Sequence, residues 1–266
     1  MKDRLNISKI LDETFYYIKG NGKKIFLVVL ALVSLVTIIQ GIIDKEAIQF
    51  GINSINNTNI NLRNSGTPEI VAGFRISKLF SLILSIITFV FLNTYYIKTA
   101  KYFDGNGDKN VGRPLLRIIG ASLIVVIISG VIGGIVSVLF ALLNSIVAGL
   151  SIVLIFGLIF GFLTNVCWIT PIMFDRHGLM GSLKEGIKTF GNTKIALKVL
   201  IFLAMQIVLV VLLATVVGFV SLLLSGFLAT LVIILLSIIN TVIQMIFTTA
   251  TIRAYKSSSD FIICKE

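Results

Sequence analysis

From Ile118 to Phe174 the chain runs for 57 residues without Asp, Glu, Lys, Arg or His. As one helix at about 1.5 Å per residue this stretch would be roughly 85 Å long, against a bilayer hydrocarbon core of about 30 Å. It must therefore fold back on itself. Asn144, Ser145 and Gly149 interrupt the apolar run within Ala141–Leu150, so the expected structure is a helical hairpin, with span three over 118–141 and span four over 150–174. A second charge-free run, the 54 residues Val199–Ile252, demands the same solution. Its expected turn is 221–226, between span five at 199–221 and span six at 226–252.

Two further runs complete the set. Ile25–Ile43 holds 19 uncharged residues and is expected to be a retained first span, not a cleaved signal, because no small-residue cleavage site follows it. Span two, 79–97, closes on Tyr95 and Tyr96 followed by Lys98 and Lys101, the aromatic and basic pattern of a membrane interface. Hydrophobic residues make up 56% of the chain and charged ones 13%, a balance that suits lipid as the surrounding solvent. Without period-2 alternation in these runs, helices rather than barrel strands must satisfy the backbone. The expected fold is thus an all-α integral membrane protein, a single membrane domain over 1–266 with six transmembrane helices as three hairpins.

Short amphipathic helices are expected before spans one and five. The first, in the segment 1–24, runs from about Ser8 to Lys19 with Ser8 as its cap and Ile7, Leu11, Thr14, Phe15 and Ile18 on one face. The second lies in the linker 175–198. There Ser182-Leu-Lys-Glu185 reads as a capping box, and Leu179, Leu183, Ile187 and Phe190 share a face away from Lys184 and Lys188. Such short helices would be marginal alone in water, so each is expected on the membrane surface or the bundle.

The net charge of +11 invites a nucleic-acid reading, but its placement answers that. With six spans, the segments 1–24, 98–117, 175–198 and 253–266 share one side and hold 19 of the 23 Lys and Arg. The other four lie in the external loop 44–78, which is rich in asparagine. By the positive-inside rule both termini are expected to be cytoplasmic. Anionic lipid headgroups become the expected partners of the basic face, and nucleic acid does not.

No catalytic, cofactor-binding or metal-binding set emerges. Asp104-Gly-Asn-Gly-Asp108 resembles a calcium loop but has Lys109 at position six and Leu115 at position twelve, where Gly and Glu are needed; a plain turn is expected. Cys167 and Cys264 have no close sequence partners, and His177 reads as a solvated loop residue. Asn56-Asn57-Thr58 matches a glycosylation triplet by chance. Gly20-Asn-Gly22 precedes a span instead of following a strand, so it is no nucleotide fingerprint.

What remains are polar residues in the spans: Gln40, Asn93, Asn165, Gln206, Asn240 and Gln244. Asn93, Asn165 and Asn240 occupy the second helix of each hairpin, and Asn240 with Gln244 lie one turn apart. Interhelical hydrogen bonding is the favoured reading over a transport site, because no ionisable group sits in any span. Gly130, Gly133 and Gly134 in span three and Gly157 and Gly161 in span four have the spacing that lets helices approach closely. Pro171 is expected to kink or end span four, with a gating hinge as the alternative.

Gly20-Asn-Gly-Lys-Lys24 and Gly191-Asn-Thr-Lys194 each follow an amphipathic helix, and Thr94-Tyr-Tyr-Ile-Lys98 matches Thr249-Ala-Thr-Ile-Arg253. The hairpins thus form a parallel repeat. The Gly-Asn entry to span one, together with Thr170-Pro-Ile-Met-Phe-Asp175 running into Gly181-Ser-Leu-Lys-Glu-Gly-Ile-Lys-Thr-Phe-Gly-Asn192, resembles uncharacterised bacterial six-helix proteins allied to the membrane domain of glycerophosphoryl diester phosphodiesterases. In those enzymes a separate soluble barrel carries catalysis, so the resemblance implies architecture and no catalytic residue. The expected function is a non-enzymatic accessory, scaffold or lipid-associated membrane protein. The alternative is the permease subunit of an ATP-driven exporter or peptide-immunity transporter, partnered by an ATPase or another membrane subunit, with 183–190 as its coupling helix.

Overall fold

The computed structural model describes residues 7–58, 68–105, 110–142, 164–191, 193–223 and 227–263. It is all-helical, with no strand among the described residues. In chain order the helices are α1 (Ile7–Lys19), α2 (Lys23–Thr58), α3 (Pro68–Asp104) and α4 (Gly112–Leu142). A π-helix (Asn165–Ile169) then runs into α5 (Thr170–Met173), followed by α6 (Leu179–Phe190), α7 (Thr193–Leu223) and α8 (Phe227–Ile263).

Four segments are long and apolar enough to cross a membrane: Lys23–Gln40, Leu79–Asp104, Gly112–Ile135 and Leu231–Ser257. At 18 to 27 residues they reach about 27 to 40 Å, enough for the hydrocarbon core. They coincide with expected spans one, two, three and six. Val199–Leu213 in α7 is a shorter apolar helix where span five was expected, and most of span four lies outside the described residues. The outward faces carry the signature of lipid contact. On α4, Leu123, Val126, Ile127, Val131 and Ile135 are all more than half exposed, a stripe that only an apolar solvent tolerates.

The helices overrun the expected spans. Residues 44–58 and 68–78, expected as an external loop, are helical extensions of α2 and α3, and α3 continues past Ile97 to Asp104. Likewise α8 continues through most of the expected polar tail to Ile263. The reason is that loss of hydrophobicity does not end a helix; an i→i−4 ladder continues in polar surroundings until Gly, Pro or a competing contact stops it. The amphipathic α1 and α6 do form, but their caps differ from expectation. Ser8 already lies inside α1, and α6 starts at Leu179 behind Gly178, with Ser182 a turn inside the helix.

The chain divides into two compact units. One comprises Phe15–Tyr95 and Ala204–Phe247. Within it Phe26 of α2 meets Tyr95 of α3 edge-on, with ring centroids 5.9 Å apart. Gln40 of α2 donates from Nε2 to the Ser81 carbonyl (3.3 Å) and the Ser85 hydroxyl (3.1 Å) of α3.

The other unit comprises Met1–Thr14, Tyr96–Leu203 and Thr248–Glu266. Its small-residue packing uses alanines: Ala100 on α3, Ala121 on α4, and Ala250 and Ala254 on α8 are all essentially inaccessible. Small side chains let helix backbones approach where burial from lipid contributes little driving force. At the expected packing glycines Gly130, Gly133 and Gly134 a methyl group would meet no described atom within 4 Å, and most of span four lies outside the described residues. Gly157 and Gly161 lie outside the described residues.

Pro171 organises the end of α5. It has no N–H for the Cys167 carbonyl four residues back, and the π register of 165–169 accommodates that missing bond. The helix stops two residues later, at Met173, with Asp175 left-handed at φ 53° and its N–H donating to the Ile172 carbonyl at 3.0 Å. Here α6 crosses the π-helix so closely that a Cβ on Gly186 would fall 1.9 Å from the Cys167 oxygen. Only glycine fits. The packed face of α6 is accordingly Ser182, Gly186 and Thr189, while the expected apolar stripe is half-buried at Leu183 and 58% exposed at Ile187. Close backbone approach selects small residues, and that requirement overrides the hydrophobic periodicity.

Candidate functional site

The charged residues that follow or precede the spans assemble, within the unit holding α4 and α6, into one connected network. Its hub is Asp104, the last residue of α3, whose side chain is only 6% exposed. A carboxylate at a helix C-terminus opposes the macrodipole, so it needs cations near it. It receives two: Lys256 of α8 at 2.6 Å, and Arg176 from the loop between α5 and α6. Arg176 also lies 3.9 Å from Glu185 of α6 and stacks over Phe174, which packs against Tyr255 of α8 at 5.6 Å between centroids.

The same loop is gripped from α4. Arg117 donates through Nη1 to the Asp175 carboxylate (2.5 Å) and to the His177 carbonyl (2.8 Å). Trp168 of the π-helix donates its indole N–H to the Leu179 carbonyl at 2.9 Å, which fixes where α6 begins. This explains the failed capping box: tertiary contacts set the start of the helix, and Ser182 leans back to the His177 carbonyl at 3.4 Å. His177 is 54% exposed, with Nε2 3.5 Å from Glu185. On α1, Glu13 pairs with Arg253 of α8, whose guanidinium lies over the Phe103 ring.

The network therefore joins α1, α3, α4, α6 and α8 through four carboxylates, Glu13, Asp104, Asp175 and Glu185. Each is matched by at least one basic side chain. Such an arrangement fixes helix ends relative to one another. It offers no unmatched acid as a general base, and no group of three or more His, Cys, Asp or Glu with metal-holding geometry occurs among the described residues. Beside the network the Tyr255 hydroxyl, close to Glu185 and Thr189, has no hydrogen-bond partner in good geometry among the described residues.

The polar positions singled out from sequence are not gathered into this network. Asn93 is buried on α3, but its Nδ2 donates to Phe89 of its own helix at 2.8 Å. Gln40, for which the same interhelical role was expected, does bond across to α3. A short amide reaches its own i−4 carbonyl more readily than a neighbouring helix, and it spares that helix a polar contact in lipid. Asn240 and Gln244 are half-buried on α8, with the Asn240 Oδ1 enclosed and lacking a donor among the described residues. No hydrogen bond joins either to Asn93. Asn165 opens the π-helix, and its side chain lies outside what is described.

Sequence reasoning passed over Asp104, treating it as part of a turn, and did not pair Arg117, Arg176 or Lys256 with anything. The available signal was an acid at a span end amid many bases. Its partners are 72 and 152 residues away, a distance no local pattern encodes. No protein-family model, curated protein or solved structure matches this chain.

Proposed function

We propose that the chain is a non-enzymatic, six-span protein of the bacterial cytoplasmic membrane, with three hairpins and both termini in the cytoplasm, acting as an accessory, scaffold or lipid-associated component. The observation that carries this reading is the use made of charge. Glu13, Asp104, Asp175 and Glu185 are each paired with a basic side chain, tying α1 and α3 to α8 and holding α3, α4 and α6 to the loop between α5 and α6, which is the work of a rigid platform, not of a reacting centre. Kinship with the membrane domain of glycerophosphoryl diester phosphodiesterases belongs to the same proposal and rests on the sequence resemblance alone.

A second reading, the permease subunit of an ATP-driven exporter or peptide-immunity system, is favoured by one feature. Helix α6 packs one face on the π-helix and exposes Met180 (73%) and Ile187 (58%) together with Lys184 and Lys188. A mixed apolar and basic face on a short connector suits the docking of a cytoplasmic partner.

The test is capture of the tagged protein from its native cell in mild detergent, followed by mass spectrometry of co-purifying proteins and lipids. Retention of anionic lipid or a membrane complex without an ATPase is the expected outcome. A stoichiometric ATPase, lost on M180D or I187D substitution, would replace the platform reading with the permease one.

A further inference from the structure

The ends of α3 and α8 are related by the internal repeat, and the structure extends the match beyond the sequence motif. Ile97 and Ile252 are both fully buried, as are Thr99 and Ala254, then Ala100 and Tyr255. In this register Lys98 corresponds to Arg253 and Lys101 to Lys256. In the α8 copy each cation has a carboxylate: Arg253 takes Glu13 and Lys256 takes Asp104. In the α3 copy neither has one. Among the described residues no carboxylate lies within ion-pair distance of Lys98 or Lys101.

Lys101 makes this imbalance physical. The residue is only 8% exposed, and its ammonium has a single partner among the described residues, the Asn110 carbonyl at 2.8 Å. A buried cation held by one neutral acceptor keeps much of its desolvation cost, and a counter-charge would relieve it. The carbonyl that holds it belongs to an exposed residue two positions before α4 begins. The Lys101 ammonium thus lies enclosed beside the residues that lead into the first turn of α4. Arg113, exposed in that turn, also lacks a carboxylate partner among the described residues.

We propose that Lys98, Lys101 and Arg113 form a binding site for a phosphate-type anion, the headgroup of an acidic phospholipid or free phosphate. The two unshared N–H bonds of Lys101 and the fork of Arg113 suit an oxyanion with several acceptors. Leu116, one turn beyond Arg113 and 71% exposed, gives an acyl chain an apolar surface next to the charge. Lys98 and Lys101 close a membrane-crossing segment at the level where headgroups lie. The site rests on the reading of this face as the cytoplasmic, lipid-associated one.

The experiment is native mass spectrometry of the full chain in a neutral maltoside detergent, titrated separately with phosphatidylglycerol, phosphatidylcholine and inorganic phosphate. Wild type is expected to retain phosphatidylglycerol over phosphatidylcholine. K101M and R113Q should each weaken that retention about fivefold, in keeping with the contribution of one basic group near a lipid surface. K184Q/K188Q on α6 should leave it unchanged. R113Q alters an exposed side chain, so its result stands even if K101M folds poorly. Saturable binding of inorganic phosphate, lost in the same two variants and without preference between lipids, supports the site with free phosphate as its ligand. Phosphatidylglycerol retained equally by R113Q and K101M, but lost in K184Q/K188Q, overturns the site while leaving the lipid-associated reading intact. Indifference of the wild type to all three probes overturns both.

Discussion

Asp104 and Gly186 show how single residues carry this fold. Asp104 is enclosed and holds two cations, one from α8 and one from the loop between α5 and α6. Asp104→Asn leaves Arg176 and Lys256 facing a neutral amide, and its expected cost is about 2 kcal/mol, between the values for exposed and fully buried pairs. Arg253→Gln, which breaks a pair with the more exposed Glu13, is expected to cost at most about 1 kcal/mol. Thermal unfolding in detergent should rank the two in that order, and an equal effect would deny Asp104 its place as hub. At Gly186 the argument is steric. A methyl group would overlap the Cys167 carbonyl, so Gly186→Ala must push α6 off the π-helix at about 3 kcal/mol or more. At Gly178, where a methyl would meet nothing within 4 Å and φ is −67°, Ala should cost less than about 1 kcal/mol. Similar unfolding temperatures for both alanine variants would contradict the close crossing.

At the scale of elements, α6 is the informative one. Its apolar periodicity was legible, yet the face it packs is the small one, because a crossing at backbone contact distance admits nothing larger. The apolar residues it leaves outside are then available to lipid or to a partner. Between α2 and α3 the lesson runs the other way, since a polar side chain in a span makes the interhelical bond. A double-mutant cycle of Gln40→Leu and Ser85→Ala should give a coupling of about 0.6 kcal/mol, the size usual for such bonds in a membrane. Strict additivity would mean the two helices are not joined there.

At the scale of the whole chain, α4 shows the division a bilayer requires, with Arg117 of the charged network near its start and the exposed aliphatic stripe from Leu123 to Ile135 further along. Orientation can be read directly. In a background lacking Cys167 and Cys264, a cysteine introduced at Asn57 should react with an impermeant thiol reagent from outside intact cells, and one at Lys188 only after lysis. The reverse pattern would invert the topology derived from the distribution of Lys and Arg.

The sequence by itself determined that the chain is helical and built for lipid. It also placed the four segments long and apolar enough to cross a membrane and the existence of α1 and α6, because these follow from local quantities: run length, charge content and periodicity. The tertiary structure alone decided which face of α6 packs, where its cap falls, which amide bridges two helices, and that Asp104 joins α3, α8 and the α5–α6 loop. Those outcomes depend on the three-dimensional approach of residues up to 240 positions apart, as with Glu13 and Arg253. A side chain's charge is written in the sequence, whereas its counter-charge is chosen by the fold. Lys98 and Lys101 repeat the pattern of Arg253 and Lys256, and only the structure shows that the second pair has its acids while the first has none among the described residues.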